Sequence, residues 1–538
     1  MIPIRRITHL FAALVLVGLW AVAGADSAQA AAYYPISGSG STWSQNALDQ
    51  WRSNVARNYA MTINYNGVGS TSGRRDFIQG TVDFAISEIP FQAHPEDGSA
   101  SEIPSTSYAY MPIVAGGTSF MYNLKISGQR VTNLRLSGET LTKIFTGKIT
   151  NWNDAAIKAD NPALAMPSKT IVPVVRSDGS GTSAQFTLWM SKQFPSMWTT
   201  GMTSQFPLIG NAKAQKGSDG VSGYVSQNYG EGAITYVEYS YAKKAGFPVV
   251  KVLNKAGYYI EPTAPSVAVA LTKAQINTDT SSVDYLTQIL DGVYNSTDPR
   301  TYPLSSYSYV IVPTQVAGIF TTDKGNTLSA FMRYVLCEGQ QQADTLGYSP
   351  LPMNLVLAGS DQIKKIPGSG GAGVDTSKCN NPTFKAGDSP SNNLLAQTAP
   401  QPQACDKQGT TQCTTGTGGA TTSTAVTGTG SSGSTAKAGT SSTTAGTGNS
   451  AASNSTAAGG TDQSGTVTDG TTTDGTSLDG TSAAGAISGS GAASSPYTLT
   501  DDGTGSNRSL MMAAAGLLLG VVILPPLLSD RLKGRSKP

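Results

Sequence analysis

The chain of 538 residues has almost no histidine and almost no net charge. It contains two histidines, and His94 is the only one outside the N-terminal segment. A Ser-His-Asp triad would depend on that single side chain, and a histidine-based zinc site is short of ligands. The expectation is therefore a protein that is not an enzyme and has neither cofactor nor metal. Lysine plus arginine number 36 against 34 acidic residues, with no basic patch interleaved with aromatics, so no nucleic-acid partner is indicated. The four cysteines, Cys337, Cys379, Cys405 and Cys413, come late and lack metal-ligand spacing. In an oxidising compartment they predict two disulfides, most simply Cys337–Cys379 and Cys405–Cys413. No glycine-rich loop is followed by Gly-Lys-Ser/Thr, which excludes a Walker loop, and none has the third glycine of a dinucleotide fingerprint.

What the chain does have is three strand–loop–helix patterns of one composition. The central one is Arg176-Ser177-Asp178-Gly179-Ser180-Gly181-Thr182, after the apolar run from Ile171 to Val175 and before a helical pattern from Ser183 to Gln193. The others are Ser37-Gly38-Ser39-Gly40-Ser41-Thr42-Trp43, which leads into Ala47, Leu48, Trp51 and Val55, and Asn66-Gly67-Val68-Gly69-Ser70-Thr71. Unpaired N–H groups of a first helical turn, hydroxyl side chains and closely approaching glycine backbone suit an oxyanion. Arg176 adds a planar, permanently charged fork, and Asp178 is placed to orient it. Val82, Phe84 and Ile86 alternate as in a strand that ends at Ser87 and Glu88, a carboxylate at the edge of an open sheet. Strands alternating with helices, with crossings near Gly116-Gly117 and near Glu261-Pro262-Thr263-Ala264, predict two α/β lobes around a cleft.

The two ends differ in composition. Arg5 and Arg6, an apolar run from Leu10 to Val22 and small residues before Ala32 predict a signal peptide over residues 1–32. Residues 367–507 are mostly Gly, Ser, Thr and Ala, which predicts a disordered linker. An uncharged stretch within 508–530 is long enough to span a bilayer, and Arg531, Lys533, Arg535 and Lys537 follow it. The expectation is a single-pass protein of the cell membrane with its binding domain outside and residues 531–538 in the cytoplasm.

With these residues in view, the chain resembles the phosphate-binding protein of the high-affinity phosphate ABC transporter over about residues 35–355. The resemblance rests on Gly38-Ser39-Gly40-Ser41-Thr42-Trp43, Gly69-Ser70, Val82-Asp83-Phe84, Gly147-Lys148-Ile149 with Trp152-Asn153-Asp154, the loop Arg176 to Thr182, and Tyr236-Val237-Glu238-Tyr239. It implies a two-lobed, type II-like periplasmic-binding-protein fold of the α/β class. Lobe 1 would comprise 33–113 and 263–366, and lobe 2 would comprise 114–262. It also implies inorganic phosphate as ligand, an ABC permease as partner and a monomer. The implied phosphate ligands are Thr42, Trp43 (through its backbone), Ser70, Glu88, Arg176, Ser180, Gly181 and Thr182, with Asp178 in support. The family usually has aspartate where this chain has Glu88 and phenylalanine where it has Trp43. The rival reading is a membrane-anchored adhesion or sensor protein that uses the same fold for another oxyanion or partner.

Overall fold

The computed structural model describes residues 33–282 and 284–424, with the backbone of residues 431–433. The expected signal peptide, membrane helix and basic tail lie outside the described residues, as does nearly all of the linker beyond 424. Among the described residues no helix is long and apolar enough to cross a membrane.

The chain opens with β1 (Ile36–Gly40), α1 (Gln45–Tyr59), β2 (Ile63–Asn66), α2 (Ser70–Ile78) and β3 (Phe84–Ser87). The apolar positions Ala47, Leu48, Trp51 and Val55 form one buried stripe on α1. Burial of a side chain such as Leu48 or Val55 contributes about 1.5–3 kcal/mol. A single long strand follows, β4 (Tyr108–Tyr122), and then α3 (Gly138–Phe145), capped by Ser137. Next come β5 (Val172–Arg176), α4 (Gly181–Gln193), β6 (Lys213–Gln215), α5 (Gly217–Ser226), β7 (Ala233–Glu238) and α6 (Tyr239–Ala245). The chain continues with α7 (Ala264–Leu271), β8 (Ser305–Pro313), α8 (Thr322–Leu336) and α9 (Met353–Ile363).

The main sheet has the order β2-β1-β3-β8-β4-β7-β5-β6. β4 serves two sets of neighbours: Tyr108–Gly117 pair antiparallel with β8, and Thr118–Tyr122 pair antiparallel with β7. Each part of the sheet carries its own core. The first core gathers Trp51, Phe84, Ile86, Tyr309, Ile311 and Leu328, and the second gathers Phe120, Trp152, Val175, Phe186, Tyr236 and Val252. Residues 290–304 contribute Leu290, Val293, Tyr294, Tyr302 and Leu304 to the second core. Where β4 passes from one core to the other, Gly117 lies against Pro262, so the outgoing and returning chain touch. The parallel strands β1, β2, β3 and β5 end on loops that face one another, which is where an open α/β sheet presents ligand groups.

Both disulfides form as expected, Cys337–Cys379 and Cys405–Cys413. The linker does not start where composition placed it. Residues 367–424 fold onto both cores, with Phe384, Cys405, Cys413, Gln412, Thr417 and Thr424 buried and a short helix, α10, at Leu394–Thr398. Composition misleads here because residues 405–424 are held by hydrogen bonds from Arg135, Asn133 and Thr132, and the part before them by Cys337–Cys379 and scattered apolar contacts such as Phe384, rather than by a periodic apolar stripe.

Candidate anion site

Four loops meet between the two cores: the β1–α1 loop, the start of α2 with the end of β3, the β5–α4 loop, and the start of α5. Their glycines are explained by how close they lie. Gly69 has φ +99°, and a Cβ there would fall 2.5 Å from Asp178 Oδ2. A Cβ on Gly181 would fall 1.9 Å from Glu88 Oε2 and 2.7 Å from Ser70 Oγ. The backbone also joins across, as the Thr71 N–H donates to the Gly179 carbonyl at 3.1 Å.

Glu88 is fully buried at the end of β3. Its Oε1 accepts the hydroxyls of Ser41 at 2.5 Å and Ser308 at 2.5 Å, and its Oε2 accepts that of Ser70 at 2.8 Å. Ser70 in turn accepts the Gly181 N–H at 3.1 Å, so one hydroxyl ties the first core's carboxylate to the first turn of α4. The Gln185 side chain donates to the Glu88 carbonyl at 2.7 Å. Beneath them, Arg74 donates to Ser87 Oγ at 2.8 Å and pairs with Glu102, which fixes the strand end that carries Glu88.

Arg176 is 3% exposed. Its Nε donates to Asp178 Oδ1 at 2.8 Å and its Nη2 to Asp178 Oδ2, a bidentate pair that leaves the Nη1 edge facing Thr182 Oγ1 and Ser218 Oγ, each at 3.5 Å. The Gly217 N–H donates to Asp178 Oδ1 at 2.9 Å. Burial pushes the Asp178 carboxyl up, but the hydrogen bonds and charge of Arg176 and the Gly217 N–H outweigh it and hold it below the usual value. Thr42 reaches across to α5, with its Oγ1 2.9 Å from Ser218 Oγ and accepting the Ser218 N–H at 3.1 Å.

The structure thus brings Thr42, Ser70, Glu88, Arg176, Asp178, Gly181 and Thr182 together. Trp43 sits beside them with its N–H donating to Ser41 Oγ at 2.9 Å, while its buried ring meets Tyr348 edge-on with centroids 5.7 Å apart. Ser180 is fully buried and caps α4 by accepting the Ser183 N–H at 3.2 Å. Four members escaped the sequence reading: Ser41 and Ser308 on Glu88, and Gly217 and Ser218 at the start of α5. Lys216-Gly217-Ser218-Asp219-Gly220 has the same Gly/Ser composition as the three recognised loops and was the available signal. Ser308 sits inside an ordinary buried strand and gave none.

The first turns of α2, α4 and α5 all start in this space, so their N–H groups and dipoles add positive potential to the Arg176 guanidinium. That combination of hydroxyl donors, helix N-termini and one buried cation suits a small tetrahedral oxyanion.

The PBP superfamily domain matches residues 25–338. Phosphate-binding protein PstS of Xylella fastidiosa is 32% identical over 324 residues, covering 60% of this chain and 82% of its own length. Phosphate-binding protein PstS of Haemophilus influenzae is 30% identical over 332 residues, covering 61% and 92%. The protein of the same name from Methanocaldococcus jannaschii is 30% identical over 343 residues, covering 61% and 85%. The chain therefore belongs to the PBP superfamily and, within it, to the family of PstS phosphate-binding proteins.

Proposed function

We propose that the protein is an extracytoplasmic receptor that captures inorganic phosphate between two lobes and delivers it to an ABC transporter permease. As a member of a family of solute receptors it is not an enzyme. The observation that carries the reading is the Arg176–Asp178 pair, whose remaining guanidinium edge faces the second-lobe hydroxyls of Thr182 and Ser218, with Thr42 of the first lobe reaching Ser218. In this reading phosphate oxygens accept from Arg176 Nη1, from the hydroxyls of Thr42, Ser70, Ser180 and Thr182, and from backbone N–H groups at Trp43, Gly181 and Thr182, the anion taking the place of Ser41 Oγ on the Trp43 N–H and of Ser70 Oγ on the Gly181 N–H. Ser218 joins them. Asp178 orients Arg176.

Glu88 supplies selectivity. An ionised carboxylate only accepts, with about two lone-pair sites per oxygen. Two hydroxyls occupy Oε1, whereas Oε2 accepts Ser70 alone among the described residues. The remaining acceptor site on Oε2 suits an anion that still carries a proton, as phosphate does near neutral pH, and repels one that does not, such as sulfate. The methylene that Glu88 has beyond the family's usual aspartate is accommodated by Gly181, which has no side chain to meet it.

The lobes are assigned as 33–113 with 263–366, and 114–262, with residues 290–304 moved to the second lobe because they pack in its core, in a type II-like arrangement hinged at Gly117 and Pro262. This reading further includes a cleaved signal peptide over 1–32, a linker from about 425 to 507, a membrane helix over 508–530, a cytoplasmic basic tail and a monomer. Its support is the composition of those segments. Titration calorimetry of the purified chain with phosphate and then sulfate tests the function. Saturable phosphate binding that sulfate fails to displace supports it, and preference for sulfate or absence of anion binding rules it out.

A further inference from the structure

Residues 367–424 connect the two cores once more, beyond the crossings at Gly117 and Pro262 and the return of residues 290–304 to the second core. On the first core, Cys379 is bonded to Cys337 at the end of α8, and Thr383 Oγ1 donates to the Leu351 carbonyl at 2.9 Å. Asn381 donates to the carbonyls of Leu336 and Leu351 at 3.3 and 3.1 Å. The chain then lays Ala396 and Ala399, in and just after α10, against Ala268 and Val269 of α7, the helix that starts directly after the Pro262 crossing.

On the second core the attachment is polar and buried. Arg135 donates to the carbonyls of Cys405 at 3.1 Å, Gly409 at 2.9 Å and Thr411 at 2.8 Å, three acceptors offered by the loop that Cys405–Cys413 closes. Asn133 donates to the Cys413 carbonyl at 2.7 Å, and Lys251 pairs with Asp406 at 2.7 Å. The Thr417 N–H donates to the Thr132 carbonyl at 3.0 Å. The Gly418 N–H donates to Glu261 Oε1 at 2.7 Å, and Glu261 immediately precedes Pro262. Between Ala399 and Cys405, both buried, the chain is Pro400-Gln401-Pro402-Gln403-Ala404. Proline there favours a stiff, extended backbone that advances about 3.1 Å per residue.

We infer that this segment is a brace across the hinge, restricting how far the lobes separate and favouring the closed arrangement. The crossings at Gly117 and Pro262 touch, and residues 290–304 join the second core between α7 and β8, so the lobes turn about these segments. A further connection anchored on both cores, with Arg300 donating to the Ala396 carbonyl at 3.0 Å, removes much of that freedom. The bond to Glu261 places one anchor on a crossing itself. A ligand's apparent affinity scales with the fraction of receptor in the binding-competent state, so a brace that raises the closed fraction raises the apparent phosphate affinity.

The test replaces 400–403 in the full chain with a specific protease site and cuts it. The Cys337–Cys379 disulfide keeps the upstream piece attached, and the bonds to Arg135, Asn133 and Thr132 hold the downstream piece. Fluorophores on unnatural amino acids at the exposed positions Asn58 and Lys158 report lobe separation in single molecules. The uncut, ligand-free protein should show one narrow distribution. Cutting should broaden it toward larger separations, phosphate should restore it, and apparent phosphate affinity should fall about tenfold. A long Gly-Ser insertion at the same place, uncut, should do the same. A ligand-free distribution that neither cutting nor insertion changes overturns the brace. A distribution that widens on cutting in a protein that never binds phosphate retains the brace and refutes the receptor reading.

Discussion

Gly181→Ala is the sharpest probe of the site, because the space it needs is occupied by the group assigned to selectivity. A Cβ at 181 would lie 1.9 Å from Glu88 Oε2, and ordinary contact begins at 3.4 Å. The carboxylate would have to retreat by about 1.5 Å, or the two loops would have to part by that much. Either movement breaks the 2.8 Å bond from Ser70 to Oε2 and pulls Oε1 away from Ser41 and Ser308. Hydrogen bonds to a charged group contribute about 1.5–3 kcal/mol each. Loss of one or two therefore costs the folded site about 2–5 kcal/mol, and with the Glu88 acceptor moved out of place phosphate binding should weaken at least about tenfold. Position 181 begins a helix, where alanine is favoured over glycine by up to about 1 kcal/mol, too little to offset those losses, so the melting temperature without ligand should fall as well. Calorimetric titration with phosphate and a melting curve decide it. Affinity within twofold of the parent would refute the placement of Glu88 against α4.

Arg176→Ala removes the one cation and leaves Asp178 without its partner; phosphate affinity should fall by about 3–5 kcal/mol, and an unchanged dissociation constant would remove Arg176 from the site. Glu88→Gln puts a donor beside the acceptor position on Oε2, so sulfate should compete with phosphate better than in the parent; equal rejection would show that Glu88 does not read the proton. Burial pushes the Glu238 carboxyl well above its ordinary value, although Ser240 and Tyr348 pull the other way. The folded state therefore favours the protonated form, and stability declines as pH rises from about 4.5. Glu238→Gln should flatten that part of the melting-temperature profile, and identical profiles would contradict it. Replacing Cys405 and Cys413 by serine opens a loop of sequence separation 8, which should cost about 2.5 kcal/mol of stability by the loop-closure relation; an unchanged melting temperature would show that the loop holds its shape without the bond.

The loops of the site were legible because their chemistry is local. Arg176 and Asp178 stand two positions apart on one turn, and their bidentate pair follows from spacing alone. The disulfides were legible because four late cysteines permit few pairings. What was hidden is what closes the cleft. Ser218 meets Thr42 across 176 positions and Ser308 meets Glu88 across 220, and no periodicity reports such pairs. The brace was hidden for a different reason. Its Gly- and Thr-rich composition matches a solvated tether, and partners distant in sequence, such as the buried Arg135 guanidinium turned toward three of its backbone carbonyls and Cys337 bonded to Cys379, make that segment part of the fold.

The central claim is that loops from two cores enclose one tetrahedral anion, and a crystal structure of the chain with phosphate tests it most directly. The phosphorus atom should lie among Arg176 Nη1 and the hydroxyls of Thr42, Ser70 and Thr182, with one phosphate oxygen within about 3 Å of Glu88 Oε2. Phosphate bound elsewhere, with Arg176 and Glu88 both unliganded, would contradict it.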